Sequence, residues 1–506
     1  MEISSPPWFL LQSRLVPVQW QFLQGVAQAA ADRHWHLYLV GGAVRDLYLS
    51  KLNSQLNAEL NFHSLVLPDL DLVVEGYPRN RDNLDGTEAA GVVLAQVLLH
   101  TYPGARLDVH GRFQTAALQW HHDPILGCLS VDIATARTEV YPYPAANPEV
   151  TASSIHQDLY RRDFTINALA IRLTPPHSTE LLDCFGGLSD LEAGLLRTLH
   201  PQSFIEDPTR IYRGVRFAVR LGFRFEPQTL RSLQDAIESG VYDRIQTEQA
   251  ITPALQTRLR SELQYLFEAP YWKPALQCLG SLKALSCIHR SLELTPLLWQ
   301  KIRLAHYCLR YLPLSSTEVP LTQWLLFVEV LLAHLAPADA DTVATKLQLP
   351  TESIHRLQQL PAIQAHLQAR LQAHLEPAVL LQGQGFKSQG LKSQGFKSQG
   401  FKSQVVNLLT PYDRSTLILV ALQTSSRPLR RSVWQYLTHW RWIKAPLTGH
   451  DLKALGYQPG KAFKIILDRL LAAYLDGELT ANNAAELREK AIVFVQHHWP
   501  LLDRRV

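Results

Sequence analysis

Two aspartates, Asp69 and Asp71, alternate with leucines in the segment LPDLDLVVEG. If this segment is a β-strand, residues two positions apart point to the same side, so both carboxylates project together while the leucines enter the core. Carboxylates held this close repel each other unless a cation lies between them, and their hard oxygen atoms suit Mg²⁺. The spacing therefore predicts a magnesium site formed by Asp69 and Asp71.

A second segment, LYLVGGAVRDLYL, predicts a phosphate-binding junction. A short apolar run, typical of a buried strand, is followed by Gly41 and Gly42 and then by a helix-like sequence. The first N–H groups of a helix have no partner within it, and phosphate binds well there. Asp-x-Asp or Gly-Gly alone is a weak signal. Together, a phosphate cradle beside a divalent-metal site is the equipment of nucleotidyl transfer.

A third carboxylate, Asp132, lies in the strand-like segment GCLSVDIATARTEVY, where Val131 and Ile133 point the other way. We expect this strand to run antiparallel to that of the aspartate pair and to bring Asp132 beside it. There Asp132 would help to hold the metal or accept the proton of an attacking hydroxyl. The alternative is a half-buried aspartate paired with Arg137.

Arginines in two further segments indicate an anionic ligand. Arg161 and Arg162 are predicted at a helix start, where basic residues oppose the helix dipole unless an anion such as a triphosphate lies nearby. The alternative is a solvated charged turn. Asp207 and Pro208 are predicted to begin another helix, as N-cap and first residue. At about 100° per residue, its arginines fall within about 120° of one another and lack acidic i+4 partners: they are Arg210, Arg213, Arg216 and Arg220.

These segments, in this order, resemble the DNA polymerase β-like nucleotidyltransferases. GGAVRD with DLDLVVEG is similar to the class II tRNA nucleotidyltransferase and poly(A) polymerase family, and RRDFTINA and EDPTR resemble its later motifs. The resemblance is strong as far as RLRSELQYLF at Arg258–Phe267 and moderate at Leu447–Phe463. It departs from the family at Lys51–Leu67, between the first helix and the aspartate pair, which we interpret as a surface loop extension.

The resemblance implies a role for each matching residue. Gly41, Gly42, Arg45 and Arg162 are expected to hold the triphosphate, Asp163 and Asn167 to shape the ribose site, Asp207 and Arg210 to read the base, and Arg213 and Arg216 to contact the nucleotide.

Base selection by Asp207 and Arg210 follows from their hydrogen-bonding capacity. Cytosine and adenine each present an amino donor beside a ring-nitrogen acceptor, whereas uracil and guanine present a carbonyl beside an N–H. A carboxylate only accepts and a guanidinium only donates, so this pair matches the first two bases and repels the others. Buried polar groups left unpaired make the wrong base costly. The pair is therefore expected to admit CTP and ATP.

The chain of 506 residues is too long for one core. We predict an α+β fold, in which a polymerase β-like nucleotidyltransferase head with a mixed or antiparallel sheet is followed by an all-α neck, body and tail. The predicted boundaries are 1–195 for the head, 196–275 for the neck, 276–381 for the body, 382–404 for a linker and 405–506 for the tail. The linker repeats a Gly-, Lys-, Ser- and Gln-rich unit that cannot form a core.

Composition places few further limits on the protein. Its net charge is only +4, so a nucleic-acid surface must be local, and the tail mixes arginines with Trp434, Trp440 and Trp442 in a way that suits RNA. The commoner explanation is that these tryptophans pack inside. Five cysteines without metal-ligand or disulfide spacing, and no evident signal peptide or membrane span, favour the cytoplasm.

The predicted reaction is attack of a tRNA 3′-hydroxyl on the α-phosphate of CTP or ATP, assisted by Mg²⁺, which adds all or part of a 3′-terminal CCA and releases pyrophosphate. The expected partners are tRNA, CTP and ATP, with no membrane. Three alternatives remain open: an enzyme that adds only CC or only A, a poly(A) polymerase, and a non-catalytic RNA-binding module.

Overall fold

The computed structural model describes residues 7–56, 67, 69–76, 89–176, 180–240, 253–313, 322–380 and 400–500. The chain divides into two compact units, Met1–Arg290 and Ser291–Val506. Most of the predicted linker, residues 382–399, lies outside the described residues. The last four residues of that predicted linker begin a helix at Phe401.

The first unit begins with a mixed α/β region. Its helices are α1 Pro7–Arg14, α2 Pro17–Ala31, α3 Gly42–Leu56, α4 Ala90–Thr101, α5 Ile155–Tyr160 and α6 Gly187–Ala193. Its strands are β1 His36–Val40, β2 Asp69–Glu75, β3 Arg106–His110, β4 Thr115–Gln119, β5 Ser130–Thr135, β6 Arg137–Val140, β7 Glu149–Ala152, β8 Ala170–Arg172, β9 Leu181–Leu182 and β10 Leu195–Leu196.

Seven strands form one mixed sheet in the order β3-β4-β5-β2-β1-β8-β9. The prediction that β5 runs antiparallel to β2 was wrong: the two strands are parallel, with Asp71 opposite Asp132. The β3–β4 hairpin explains the difference. Strand β4 pairs antiparallel with both β3 and β5, so β3, β5 and β2 all run in the same direction. The predicted mixed sheet of the α+β head is confirmed.

Apolar residues cover both faces of this sheet. On one face α4 packs so closely on β5 that a Cβ atom on Gly91 would lie 2.8 Å from the backbone of Ala134. On the other face Tyr38, Val73 and Leu159 share a buried cluster. The strand that carries the aspartate pair is therefore fixed from both sides, although its first residue, Asp69, is exposed.

The predicted loop extension at Lys51–Leu67 is partly wrong. Residues 51–56 continue α3, which ends at Leu56, and the side chain of Lys51 is buried. Residues 57–66 lie outside the described part of the chain. The amide N–H and carbonyl of Leu67 bond the side chain of Gln19 on α2, which anchors the entry to β2.

The remainder of the first unit is mainly helical. Its elements are α7 Ser203–Glu206, α8 Thr209–Leu221, β11 Arg224–Phe225, α9 Pro227–Glu238, α10 Pro253–Glu268 and α11 Trp272–Ser281. Helix α8 buries an apolar stripe that includes Ile211 and Val215, and α10 packs against it. Ridge-to-groove packing of this kind brings polar residues of α10 to the arginine-bearing side of α8.

The second unit consists of helices in the described residues. They are α12 Pro296–Tyr311, α13 Gln323–Leu332, α14 Pro337–Lys346, α15 Thr351–Leu380, α16 Phe401–Leu409, α17 Arg414–Gln423, α18 Arg427–Thr438, α19 Gly449–Ala454, α20 Lys461–Asp476 and α21 Ala484–His498. Trp434, Trp440 and Trp442 all stay at least partly accessible, so complete burial does not explain them. Across the described segments, every helix is too short or too polar to cross a membrane.

Candidate active site

One cleft of about 590 Å³ in the first unit collects most of the predicted site residues. It lies beside the C-terminal end of β1, the start of α3, and helices α8 and α10. All predicted site residues except Asp69 and Asp132 line it: these are Gly41, Gly42, Arg45, Asp71, Arg162, Asp163, Asn167, Asp207, Arg210, Arg213 and Arg216. Asp71 therefore faces the same space as Asp207 and Arg210, as the sequence argument requires.

The three predicted acidic residues lie on neighbouring strands. Burial in the cleft, followed by the charge of Asp69, raises the pKa of the Asp71 carboxyl, although Arg162 and Arg213 oppose this rise. Partial burial, then the charges of Asp71 and Asp69, raises the pKa of Asp132. Asp132 is not paired with Arg137, which instead bonds Glu139 and the Phe113 carbonyl. The carboxylates thus repel one another, as expected of oxygen ligands that a cation would bring together.

Among the described residues, no group of three or more His, Cys, Asp or Glu side chains is arranged to hold a metal ion by itself. The carboxylate oxygens of Asp69 and Asp71 are donors of the kind that hard divalent cations prefer.

Gly41 forms the tight junction between β1 and α3 with a φ of +69°. A Cβ atom at this position would lie 2.8 Å from Arg162 Nη1 and 3.6 Å from Asp71 Oδ2, so only glycine fits between these side chains. Its N–H donates to the Leu169 carbonyl. The amide groups offered to a phosphate are consequently those of the first turn of α3, not that of Gly41.

A chain of buried hydrogen bonds links α3 to α8. Arg45 Nη1 donates to Asn167 Oδ1 at 2.7 Å, and Asn167 Nδ2 donates to Asp163 Oδ1 at 2.9 Å. Arg213 then contacts Asp163 Oδ2 through Nε at 2.7 Å and Nη2 at 2.6 Å. Burial alone would raise the pKa of Asp163, but Arg213 and the bond from Asn167 lower it to about 2.

The arginines of α8 have acidic partners that the sequence argument did not see. Arg216 Nε donates to Glu262 Oε2 at 2.9 Å, and Arg213 Nη1 lies 3.5 Å from Glu262 Oε1. Arg220 lies 3.7 Å from Asp46. The absence of i+4 acids on α8 was therefore an incomplete argument for an anionic ligand, because α3, α10 and the segment after α5 supply the counter-charges.

The predicted position of Arg161 and Arg162 at a helix start was wrong. They follow the end of α5, where basic residues agree with the helix dipole. Arg161 Nη2 contacts Asp158 Oδ1 at 2.7 Å, and Arg162 Nη2 contacts Asp158 Oδ2 at 3.1 Å. Burial would raise the pKa of Asp158, but these two arginines lower it. Arg162 still reaches the cleft beside Gly41.

Helix α8 begins one residue later than predicted. Pro208 is its N-cap and Thr209 its first residue, so Asp207 precedes the N-cap. Asp207 Oδ1 accepts the N–H of Thr209 at 3.0 Å and its hydroxyl at 2.6 Å. Its other oxygen, Oδ2, accepts Nη1 of Arg258 from α10 at 3.1 Å. Both Asp207 oxygens are thus oriented by the protein, and Oδ2 has a lone pair left for a ligand.

Arg210 is held as firmly as Asp207. Its Nη1 donates to Ser203 Oγ at 2.6 Å, and its Nη2 donates to the Arg161 carbonyl at 2.8 Å.

The Nε and Nη2 atoms of Arg258 are buried and have no hydrogen-bond partner among the described residues. Unpartnered buried donors are costly, so a ligand acceptor in the cleft would satisfy them.

Arg258 and Glu262 are site residues that the sequence reasoning missed. The sequence does contain a signal for them, because both lie in RLRSELQYLF, a segment that resembles the family. They are four residues apart on α10 and therefore share one helix face. Tyr141 and Glu139, which also line the cleft and are hydrogen-bonded at 3.1 Å, had no distinguishing sequence pattern.

The mixed sheet, the acidic residues on adjacent strands and the basic cleft define a polymerase β-like nucleotidyltransferase head. Residues 37–197 match the family model described as the poly A polymerase head domain. The matched residues include β2 and β5 with the acidic residues that they carry, and the relatives below are named as tRNA nucleotidyltransferases or a CCA-adding enzyme.

Two curated relatives and one solved structure show this similarity. An A-adding tRNA nucleotidyltransferase of Geobacter sulfurreducens is 30% identical over 461 residues, which are 91% of this chain and 46% of the relative. A CC-adding tRNA nucleotidyltransferase of Deinococcus radiodurans is 37% identical over 201 residues, 40% of this chain and 45% of that protein. The Thermotoga maritima CCA-adding enzyme complexed with tRNA has a TM-score of 0.64 at 26% identity, covering 98% of this chain and 100% of that one.

The chain spans less than half the length of these curated relatives, 46% of the first and 45% of the second. The similarity to the solved structure, in contrast, extends over nearly the whole chain. Its TM-score supports the predicted fold, in which a nucleotidyltransferase head is followed by helical regions.

Proposed function

We propose that this protein adds all or part of the 3′-terminal CCA to tRNA from CTP and ATP and releases pyrophosphate. One observation carries the proposal: Asp71 lines the same cleft as Asp207 and Arg210. A single nucleotide can therefore place its phosphates at the acidic residues and its base at the Asp207–Arg210 pair. The tRNA substrate is supported by the names of the relatives, which are tRNA nucleotidyltransferases and a CCA-adding enzyme complexed with tRNA.

Asp69 and Asp71 would hold Mg²⁺, and Asp132 would accept the proton of the attacking 3′-hydroxyl. The ion, when bound with the nucleotide, would polarise the α-phosphate and lower the pKa of that hydroxyl. The raised pKa of Asp132 makes it a stronger base than an ordinary carboxylate once it is ionised. This role is supported by the parallel pairing of β5 with β2, in which Asp132 lies opposite Asp71.

The triphosphate would bind at the start of α3, with Arg45 and Arg162 beside it and Arg213 and Arg216 across the cleft. Arg162, Arg213 and Arg216 are held in place by ion pairs with Asp158, Asp163 and Glu262, and Arg45 by one with Asp46, so the cleft is preorganised for binding. Positioned donors of this kind stabilise charge that develops on a transferring phosphoryl group without reorganisation. Asp163 and Asn167 would form the floor beneath the ribose.

The base would be read by Asp207 Oδ2 and the guanidinium of Arg210. Because Thr209 and Arg258 already orient Asp207, its carboxylate cannot rotate freely to accommodate a base with reversed donors and acceptors. UTP and GTP would leave buried groups unpaired, which is how a rigid site rejects an analogue. Protein side chains, in place of a nucleic acid, would therefore act as the template.

The helical parts are proposed to serve tRNA binding. We retain the neck, body and tail boundaries at 196–275, 276–381 and 405–506, and we assign the accessible tryptophans of α18 and the following turn to RNA contact.

All five cysteines are free thiols, in keeping with a reducing cytoplasm.

Split specificity is the second candidate, and the relatives' names favour it. One relative is named as A-adding and another as CC-adding. The same cleft would serve either enzyme, because both use bases with an amino group beside a ring-nitrogen acceptor.

The deciding experiment supplies CTP alone, ATP alone or both to tRNAs that end before the first C, after CC and after CCA. Extension of the first tRNA by CCA with both nucleotides supports full CCA addition. Extension that stops after CC, or that occurs only on the tRNA ending in CC, shows a split enzyme. A long A-tail on generic RNA with ATP alone indicates a poly(A) polymerase. No pyrophosphate release with any RNA would contradict enzymatic function.

A further inference from the structure

The ring of Phe217 on α8 is surrounded by three arginines of the candidate active site. The distances from guanidinium Cζ to ring centroid are 5.1 Å for Arg45, 5.6 Å for Arg213 and 4.8 Å for Arg216. All three are within the range in which a cation is attracted by an aromatic ring. Two of the arginines lie on α8 itself, whereas Arg45 approaches from α3, so one ring links two elements of the cleft.

Phe217 is in addition fixed in place. Its side chain is only 4% exposed, and it packs edge-on against Phe164 with ring centroids 6.0 Å apart and an interplanar angle of 87°. Phe164 is itself fully buried. A ring held from behind in this way cannot follow the arginines, so the arginines must align to the ring.

Like charges gathered in one cleft repel each other, and ion pairs offset this only in part. Arg213 and Arg216 share Glu262, while Arg45 contacts Asp46 at 2.8 Å and Asn167. An aromatic face adds attraction without adding a negative charge, so it does not compete with an anionic ligand for the same site. An additional carboxylate in this position would repel a triphosphate; a phenyl ring does not.

We propose that Phe217 is a positioning residue that aligns Arg45, Arg213 and Arg216 for the triphosphate of the incoming nucleotide. The inference rests on the proposed function for the identity of the ligand. It assigns Phe217 no contact with the base, so its effect must be the same for CTP, for ATP and for a triphosphate without a base.

The test compares Phe217→Leu, which removes the ring, with Phe217→Tyr, which keeps it. Val215→Ala serves as a matched control, because Val215 is fully buried on the same helix and lies outside the cleft lining. Dissociation constants of CTP, ATP and inorganic tripolyphosphate are measured by calorimetry on the full chain. Thermal midpoints and KM and kcat for tRNA extension are measured alongside.

With Phe217→Leu, the dissociation constants of all three ligands should rise by about tenfold and by equal factors, and KM should rise more than kcat falls. Phe217→Tyr should stay within about twofold of the wild type, because the tyrosine ring attracts cations similarly. Val215→Ala should lower the thermal midpoint and leave the three dissociation constants unchanged. If Phe217→Leu does not fold, Phe217→Met replaces it as an unbranched side chain without a ring.

Unchanged tripolyphosphate binding in the ring-less variant would overturn the inference, as would an equal loss of binding in Val215→Ala. These results are distinguishable from failure of the proposed function. A wild-type protein that extends no RNA but binds tripolyphosphate in a ring-dependent manner would refute CCA addition and retain the role of Phe217. Normal tRNA extension by the wild type, with nucleotide and tripolyphosphate binding that does not depend on the ring, would support CCA addition and refute the role of Phe217.

Discussion

Replacing Asp163 by asparagine should destabilise the first unit by an amount that follows from the ion pair with Arg213. In the folded protein the pKa of Asp163 is about 2, against an ordinary value of 3.8. At about 1.4 kcal/mol per pKa unit, ionised Asp163 contributes about 2 kcal/mol of stability at neutral pH. Asparagine keeps the size of the side chain and loses the charge. Asp163 is 6% exposed, so solvent screening reduces this figure little.

The pH dependence has a definite sign. Because folding depresses the pKa of Asp163, its contribution is complete above pH 3.8 and is lost as the pH falls through about 2. The difference in stability between the wild type and Asp163→Asn should therefore be constant from pH 7 to pH 5. It should shrink below pH 4, because the carboxyl of the unfolded state becomes protonated there, and it should largely vanish near pH 2, where the folded-state carboxyl is protonated as well.

Hydrogen exchange of β1 and β2 amides in increasing urea reports the unfolding free energy of the first unit separately from the second. Asp235→Asn is the control, since Asp235 is an exposed carboxylate on α9 of the same unit. A loss below about 0.5 kcal/mol for Asp163→Asn, or a loss that persists undiminished at pH 2, would refute the assigned ion pair.

Two further substitutions test the acidic and base-reading parts of the cleft. Because folding raises the pKa of Asp132, the ionised carboxylate destabilises the metal-free protein, and this destabilisation is relieved as the pH falls. Asp132→Asn should therefore raise the melting temperature in EDTA by about 1–3 °C. The same substitution should slow tRNA extension by about 100-fold or more. An unchanged or lower melting temperature would contradict this assignment. Arg258→Gln removes the donor to Asp207 Oδ2 and should raise UTP misincorporation relative to CTP by about fivefold to tenfold; unaltered fidelity would show that Arg258 does not orient Asp207.

Local patterns in the sequence were sufficient where the chemistry depends on neighbouring residues. The alternation of Asp69 and Asp71 with leucines predicted that both aspartates lie on one side of β2. Gly41 and Gly42 indicated the strand–helix junction that lies beside Arg162. Side-chain periodicity is a property of each strand or helix, so it can be deduced before any tertiary contact is known.

Contacts between distant segments could not be deduced in this way. The direction of β5 depends on the β3–β4 hairpin, which is why its parallel pairing with β2 was missed. The counter-charge of Arg216 is Glu262, 46 residues further on, and an i+4 rule does not reach it. No sequence pattern singles out Phe217, because its arginine contacts include a side chain from α3.

The most direct test of the central claim is tRNA extension by an Asp69→Ala, Asp71→Ala double variant. Asp108→Ala is the matched control, because Asp108 is a part-exposed carboxylate on β3 of the same sheet, outside the cleft lining. A tRNA lacking its CCA end is incubated with CTP, ATP and Mg²⁺, and both extension and pyrophosphate are measured. Abolished activity in the double variant with normal activity in the control is the result we predict. Full activity in the double variant would contradict a metal held by Asp69 and Asp71.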